Sequence, residues 1–219
     1  MSASFSSTSY TPDGLVLGGE TRSRGITLLS GQNCARGAVL GKITLGAASR
    51  AAKPGGNAEN TGDLTLDATT PILANAQVGV YTVRCITAAT NGGIFRVTDP
   101  RGNVLGDVAV AATFANQIKF AIADGTQDFI VGEGFDVTIA AGSGSYKASI
   151  TAAVDGSQVP DAILAEATDA SDGDVATVAY FGGEFAAGAL TLGAGHTVAG
   201  IREGLRQKGI HISSVQTTY

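Results

Sequence analysis

Apolar positions in this sequence come in short, β-branched runs cut by glycine, asparagine and aspartate, the pattern of strands separated by turns. The first series is Leu15–Leu17, Ile26–Leu29 and Ala38–Ile43, interrupted at Gly18-Gly19, Gly31-Gln32-Asn33 and Arg36-Gly37, and it predicts a small antiparallel β unit. Ala47–Asp63 follows without any period and reads as a polar linker. A second series comprises Thr65–Leu73, Val80–Ala88, Ile94–Asp99, Val104–Val110, Gln117–Ala123 and Phe135–Ala140. Alternation is plain in Val80–Ile86 and Phe135–Ile139, and turn residues at Asn91-Gly92-Gly93, Asp99–Asn103 and Asp124-Gly125 divide the runs. That spacing predicts a compact antiparallel β-sandwich, closed by Gly142–Ser145 as a flexible hinge.

After the hinge the pattern changes. Tyr146–Ala153 and Ala162–Glu166 are strand-like, Val175–Phe181 alternates, and Gly188–Leu192 leads towards a helix. In Thr197–Lys208 the apolar residues Val198, Ile201 and Leu205 recur at helical spacing, with Thr197 as N-cap and Gly209 as the residue that ends the helix. Ile210–Ile212 reads as a last short strand. The expected fold class is therefore mainly β, with an α+β outer domain of residues 15–45 plus 146–219 interrupted by an inserted β-sandwich, 46–145 with its linkers. Residues 1–14 have no hydrophobic period and carry two isolated aromatics, Phe5 and Tyr10. They read as a frayed terminus or as an arm that orders on a partner.

Composition narrows the function. The chain has 219 residues, 44% of them hydrophobic and only 15% charged, which excludes an intrinsically disordered protein. Its net charge is −5, whereas a nucleic-acid binder needs a basic face to displace condensed counterions. The one basic cluster, Arg202, Arg206 and Lys208, falls at the end of the predicted helix, where cations complement the helix dipole. No run approaches the ~20 apolar residues of a membrane span. The opening MSASFSSTSYTPDG lacks the features of a secretory signal, so the expectation is a soluble protein made in a cytoplasm. Cys34 and Cys85 read as buried small hydrophobes rather than as a mutual bridge.

Fragments that suggest catalysis or metal binding fail on spacing. Gly37–Lys42 is one residue short of a phosphate loop and has Ile43 where a hydroxyl must hold magnesium. Asp169, Asp172 and Asp174 lack the ligand positions and closing glutamate of a calcium loop, so a solvated turn is the reading. His196 and His211 have no partners at metal-ligand spacing, and no GxSxG elbow nominates a nucleophile. Neither a catalytic residue nor a cofactor or metal is expected.

Two outer segments carry a resemblance. Residues 26–43 (ITLLSGQNCARGAVLGKI) and 146–192, read without the middle, are similar to the head decoration protein family typified by protein D of phage lambda. The order is specific: Gly-Gln-Asn, then Arg-Gly-x-Val-Leu-Gly, then Asp-Gly-Ser-Gln through Ile-Leu at Asp155–Leu164, an acidic turn, and Gly-Glu-Phe at Gly183–Phe185. The closing helix and Gly209–Ile212 also fit. The resemblance implies a non-enzymatic cement on the outside of a phage head, a homotrimer, and the major capsid protein as partner. It also implies an N-terminal arm that adds a strand to the capsid protein's sheet; Phe5, Tyr10, Leu15, Val16 and Leu17 are its candidate contacts. Tyr180, Phe181 and Phe185 are the candidate trimer contacts. The short family members have no counterpart of the middle segment, which leaves host-surface or glycan adhesion through that segment as the alternative function.

Overall fold

The computed structural model describes residues 14–57 and 60–214. Among the described residues the chain is mainly β, with several sheets and one short helix. It divides into two compact units, one comprising the described residues up to Gly41 with Tyr146–Thr151 and the chain from Pro160, the other Lys42–Ser145 with Ala152–Val159.

In the first unit the strands are β1 (Val16–Leu28), β2 (Gln32–Cys34) and β3 (Val39–Lys42), then, beyond the second unit, β12 (Tyr146–Ala148), β13 (Pro160–Leu164), β14 (Thr168–Ala170), β15 (Val175–Ala186) and β16 (Ile210–Ser213). A six-stranded sheet runs β1-β12-β3-β13-β15-β16, and β1 also pairs with β15. Five of these strands thus form a ring that closes on itself, the arrangement that removes free sheet edges where closure occurs. Successive side chains on a strand point to opposite faces, and here both faces are buried. Leu40, Ala162, Leu164 and Ala179 enter one apolar cluster with Leu28 and Tyr146. Their neighbours Val39 and Ile163 enter another, with Phe185, Leu15, Ile210 and the helix residues Ile201 and Leu205. β2 and β14 form a separate pair, Cys34 opposite Thr168.

Helix α1 (Val198–Arg206) forms where its apolar spacing predicts, and Thr197 caps it by accepting a hydrogen bond from the Gly200 N–H at 3.1 Å. Gln207 is the C-terminal cap, and Gly209, at φ +85°, turns the chain into β16 two residues beyond it. The stretch expected to lead towards this helix, Gly188–Leu192, contains the end of a single 3-10 turn, Ala187–Ala189.

The second unit contains β4 (Leu45–Ala52), β5 (Asp63–Leu66), β6 (Gly79–Ala89), β7 (Gly92–Thr98), β8 (Val104–Ala109), β9 (Thr113–Ala115), β10 (Lys119–Ala123) and β11 (Gly134–Ala141). A five-stranded sheet, β4-β11-β6-β7-β8, and a three-stranded sheet, β5-β10-β9, contribute to one core. Tyr81, Val83, Phe95, Val97, Phe135, Val137 and Ile139 come from the first sheet, and Leu64, Phe114, Phe120 and Ile122 from the second. Phe129, which lies in no strand, fills the space near them. Its ring meets Phe95 edge-on at 4.9 Å and Phe135 at 6.0 Å.

Several sequence expectations need correction. Leu15–Leu17 and Ile26–Leu29 are not separate elements. Leu15 immediately precedes the 13-residue β1, which runs through both glycines and absorbs them as register shifts against β15. Ala47–Ala52, expected as linker, is most of β4, with Ser49 opposite Thr138 and Ala51 opposite Asp136. Its small and polar side chains have no period to reveal it, because an edge strand can be held by its backbone bonds. The expected hinge Gly142–Ser145 is tied into place. Gly142 N–H donates to Thr44 O at 2.9 Å, Gly144 N–H to Ile43 O at 3.1 Å, and Ile43 N–H to Ser145 O at 2.9 Å. A methyl group on Gly142 would stand 2.5 Å from Ile43 O, so this glycine permits close backbone approach rather than flexibility. Tyr146–Ala153 shortens to the three residues of β12, and Ala152–Val159 packs with the second unit.

Replacing Phe129 by alanine should lower the stability of the second unit by about 3–5 kcal/mol, since its fully buried ring leaves a cavity among rings that cannot collapse onto it. Chemical denaturation followed through the tyrosines measures this, and a loss under about 1 kcal/mol would mean that Phe129 is not part of the packed core.

Candidate functional site

Two clefts of the first unit lie along β1. From Gly19 to Gly25 this strand is exposed, and it pairs with β15. Arg22 extends over two glycines. A methyl group on Gly182 would stand 2.8 Å from its Nε, and one on Gly209 would stand 2.7 Å from its Nη2. Arg24 lies over the ring of Phe181, 4.2 Å from the centroid, where the negative face of the ring attracts the guanidinium. Phe181 in turn meets the buried Tyr146 edge-on at 5.9 Å. The Tyr146 hydroxyl donates to Asp161 Oδ2 at 2.9 Å, and Lys208 Nζ donates to Asp161 Oδ1 at 2.8 Å and to Pro160 O at 2.7 Å.

These groups line a cleft of about 830 Å³ formed by Thr21, Arg22, Ser23, Arg24, Asp161, Phe181 and Lys208. Arg22 also borders a second cleft, of about 680 Å³, with Glu184, Arg202, Arg206 and His211. Lys208 and Asp161 neutralise each other. Arg206 makes a two-point bond to Glu203, three residues earlier in α1. The basic cluster expected to complement the helix dipole is thus mostly spent on carboxylates. Arg22 and Arg202 have no hydrogen-bond acceptor among the described residues. Burial, then the Asp161 hydrogen bond, raise the Tyr146 pKa well above the ordinary tyrosine value, with Arg24 opposing weakly.

The acidic turn Asp169–Asp174 is built as a turn. Asp169 accepts from the Ser171 N–H at 3.0 Å and from its hydroxyl, which lower the Asp169 pKa. Asp174 accepts from the Ser30 N–H at 2.7 Å, and Asp172 is exposed. Among the described residues no three His, Cys, Asp or Glu side chains gather as a metal site would require. Ser149 Oγ lies 3.0 Å from His196 Nε2, a pair that sequence spacing could not show, but Ser149 is fully buried. Cys34 and Cys85 are free and buried, and burial raises both thiol pKa values.

The expected contact residues separate into three groups. Phe5 and Tyr10 lie outside the described residues. Leu15 (2% exposed) and Phe185 (0%) are core residues of a single chain, so neither offers surface to a partner. The Phe185 ring turns inward against Tyr180 at 5.3 Å, and Gly183, two residues earlier, leaves room for it. Val16 and Tyr180 are half-buried against the same core, Leu17 is 40% exposed, and Phe181 forms the floor of the cleft.

The family model of the bacteriophage lambda head decoration protein D matches residues 5–211. The match spans more than the two outer segments that carry the sequence resemblance and runs through 46–145 as well. None of the curated proteins and none of the solved structures matches the chain.

The raised Tyr146 pKa has a consequence for alkaline stability. The folded state holds this phenol protonated more firmly than the unfolded chain, so the contribution is complete below the ordinary tyrosine value of 10.0 and is lost as pH rises above it. Tyr146→Phe should cost about 1 kcal/mol at neutral pH, from the lost hydrogen bond, and should flatten the fall in stability above pH ~10 relative to the parent. Denaturation midpoints across that range test both effects, and parallel curves would refute the linkage.

Proposed function

The chain belongs to the bacteriophage lambda head decoration protein D family, and from this membership we propose that it binds the mature head as a trimer and stabilises the shell against the pressure of packaged DNA. It is a capsid decoration protein of a phage virion, located on the outer surface of the capsid, and it is structural rather than enzymatic. The match over residues 5–211 carries this reading. The clefts contain arginine, glycine and one aromatic floor, groups suited to recognition.

In the proposed mechanism, the segment ahead of β1 is an arm that adds a strand to the major capsid protein's sheet. Main-chain hydrogen bonds supply affinity in such pairing, so a Ser/Thr-rich arm is adequate, with Phe5, Tyr10 and the exposed Leu17 filling side-chain pockets. Three arms on one trimer convert weak single contacts into tenacious attachment. A ligand that binds only the closed, mature lattice shifts the equilibrium towards that lattice by mass action. Tyr180 and Phe181 remain the candidate trimer contacts.

Residues 46–145 are proposed as an inserted β-sandwich. The two sheets of that region share one apolar core, which supports independent folding. A second role, adhesion to a host surface through this segment, is favoured by the adjacent Ile130 (56% exposed) and Val131 (64%) at one of its turns.

Deleting residues 1–14 should leave a folded assembly of three chains, each 21.9 kDa less the arm, that no longer binds undecorated expanded heads. Light scattering reports the assembly, and co-sedimentation with heads reports binding. Equal head affinity for truncated and intact protein would rule out the arm. A monomer at micromolar concentration would rule out the trimer.

A further inference from the structure

We propose that the cleft beside β1 is one half of a contact between copies of this chain, and that the other half is the acidic turn between β14 and β15 of the neighbouring copy. The inference rests on the trimeric reading above. A two-fold pair joins one patch to itself, but a three-membered ring joins two different patches on every subunit. The two patches must complement each other, and they must lie far enough apart that one chain cannot satisfy both.

The cleft supplies the first patch. Lys208 is already neutralised by Asp161, which leaves Arg22 and Arg24 as its uncompensated charges in a chain of net −5. Phe181 holds the Arg24 guanidinium, and the missing side chains of Gly182 and Gly209 make room for Arg22. Both groups are exposed, and Arg22 lacks an acceptor within its own chain among the described residues. A planar guanidinium placed in this way suits two-point bonding to a carboxylate.

The acidic turn supplies the second patch. Asp172 is exposed and makes no hydrogen bond among the described residues, while Asp174 commits one oxygen to Ser30 and keeps the other. Asp174 immediately precedes β15, and Arg24 stands opposite Ala179, five residues on, roughly 17 Å of extended strand away. The turn of one chain therefore does not reach that chain's own cleft, which leaves both patches open to a second copy.

The test is charge reversal in the full-length chain, with assembly measured by light scattering at low and high salt. The parent protein should assemble, and its dissociation constant should rise as salt screens the contact. Arg22→Glu with Arg24→Glu should raise that constant at low salt at least about tenfold, because like charges now meet. Adding Asp172→Arg to the same chain should recover most of the loss, since every reversed cleft then meets a reversed turn. Circular dichroism confirms folding, and all three side chains are exposed. If neither reversal changes assembly, the trimer stands and this contact is wrong. If the reversed cleft abolishes assembly and the reversed turn fails to restore it, the acidic turn is not the partner and the proposal falls. A monomeric parent removes the trimeric reading itself, and this inference with it.

Discussion

Strand β15 is used on both edges and on both faces, and most of the first unit depends on that constraint. Along one edge it pairs with β1 from Val175 to Phe185, and along the other it pairs with β13 and then β16. Its residues alternate between the cluster containing Ala179 and the cluster containing Phe185. A side chain of the wrong size on this strand disturbs one core or the other, because close-packed interiors accommodate even a single added or removed methylene poorly. The helix follows from the same demand. One face of the ring needs an apolar cover, and Ile201 and Leu205 of α1 provide it.

The double glycine within β15 connects this packing to the surface. Gly182 and Gly183 are themselves buried, and without side chains they let Arg22 lie across the strand while Phe185 turns inward. Core packing and the cleft therefore meet at one point of the chain. Phe181 takes part in both. Its edge meets Tyr146, which belongs to a core, and its face holds Arg24, which belongs to the cleft.

For a protein that works by attachment, this division of labour is economical. Decoration of a capsid requires no bond-making chemistry, and affinity comes from many modest contacts repeated by symmetry. The second unit gains its stability separately, from a core of interlocking phenylalanine rings. Gly142 lets its backbone approach that of Ile43 and Thr44 closely.

Local pattern was sufficient for the strands with clear alternation, Val80–Ile86, Phe135–Ile139 and Val175–Phe181, and for α1 with its Thr197 cap. The ordered run of short motifs in the outer segments was sufficient for the family. These features are encoded residue by residue, through a period of two or 3.6 and through caps that act within one turn. What only the tertiary structure decided are the features that depend on distant partners. Strand β4 exists because β11 lies beside it, since its own side chains have no period. Phe185 faces inward where Gly183 leaves room for its ring, and Leu15 is core because it packs in one cluster with Ile163 and Ile210. The Tyr146–Asp161–Lys208 chain joins residues up to 62 positions apart, and Arg22 finds its place over Gly209 from the far end of the sequence. Hydrophobic period reports which way a side chain points along its own strand; the ring closure that brings these residues together is long-range, and no local pattern carries it.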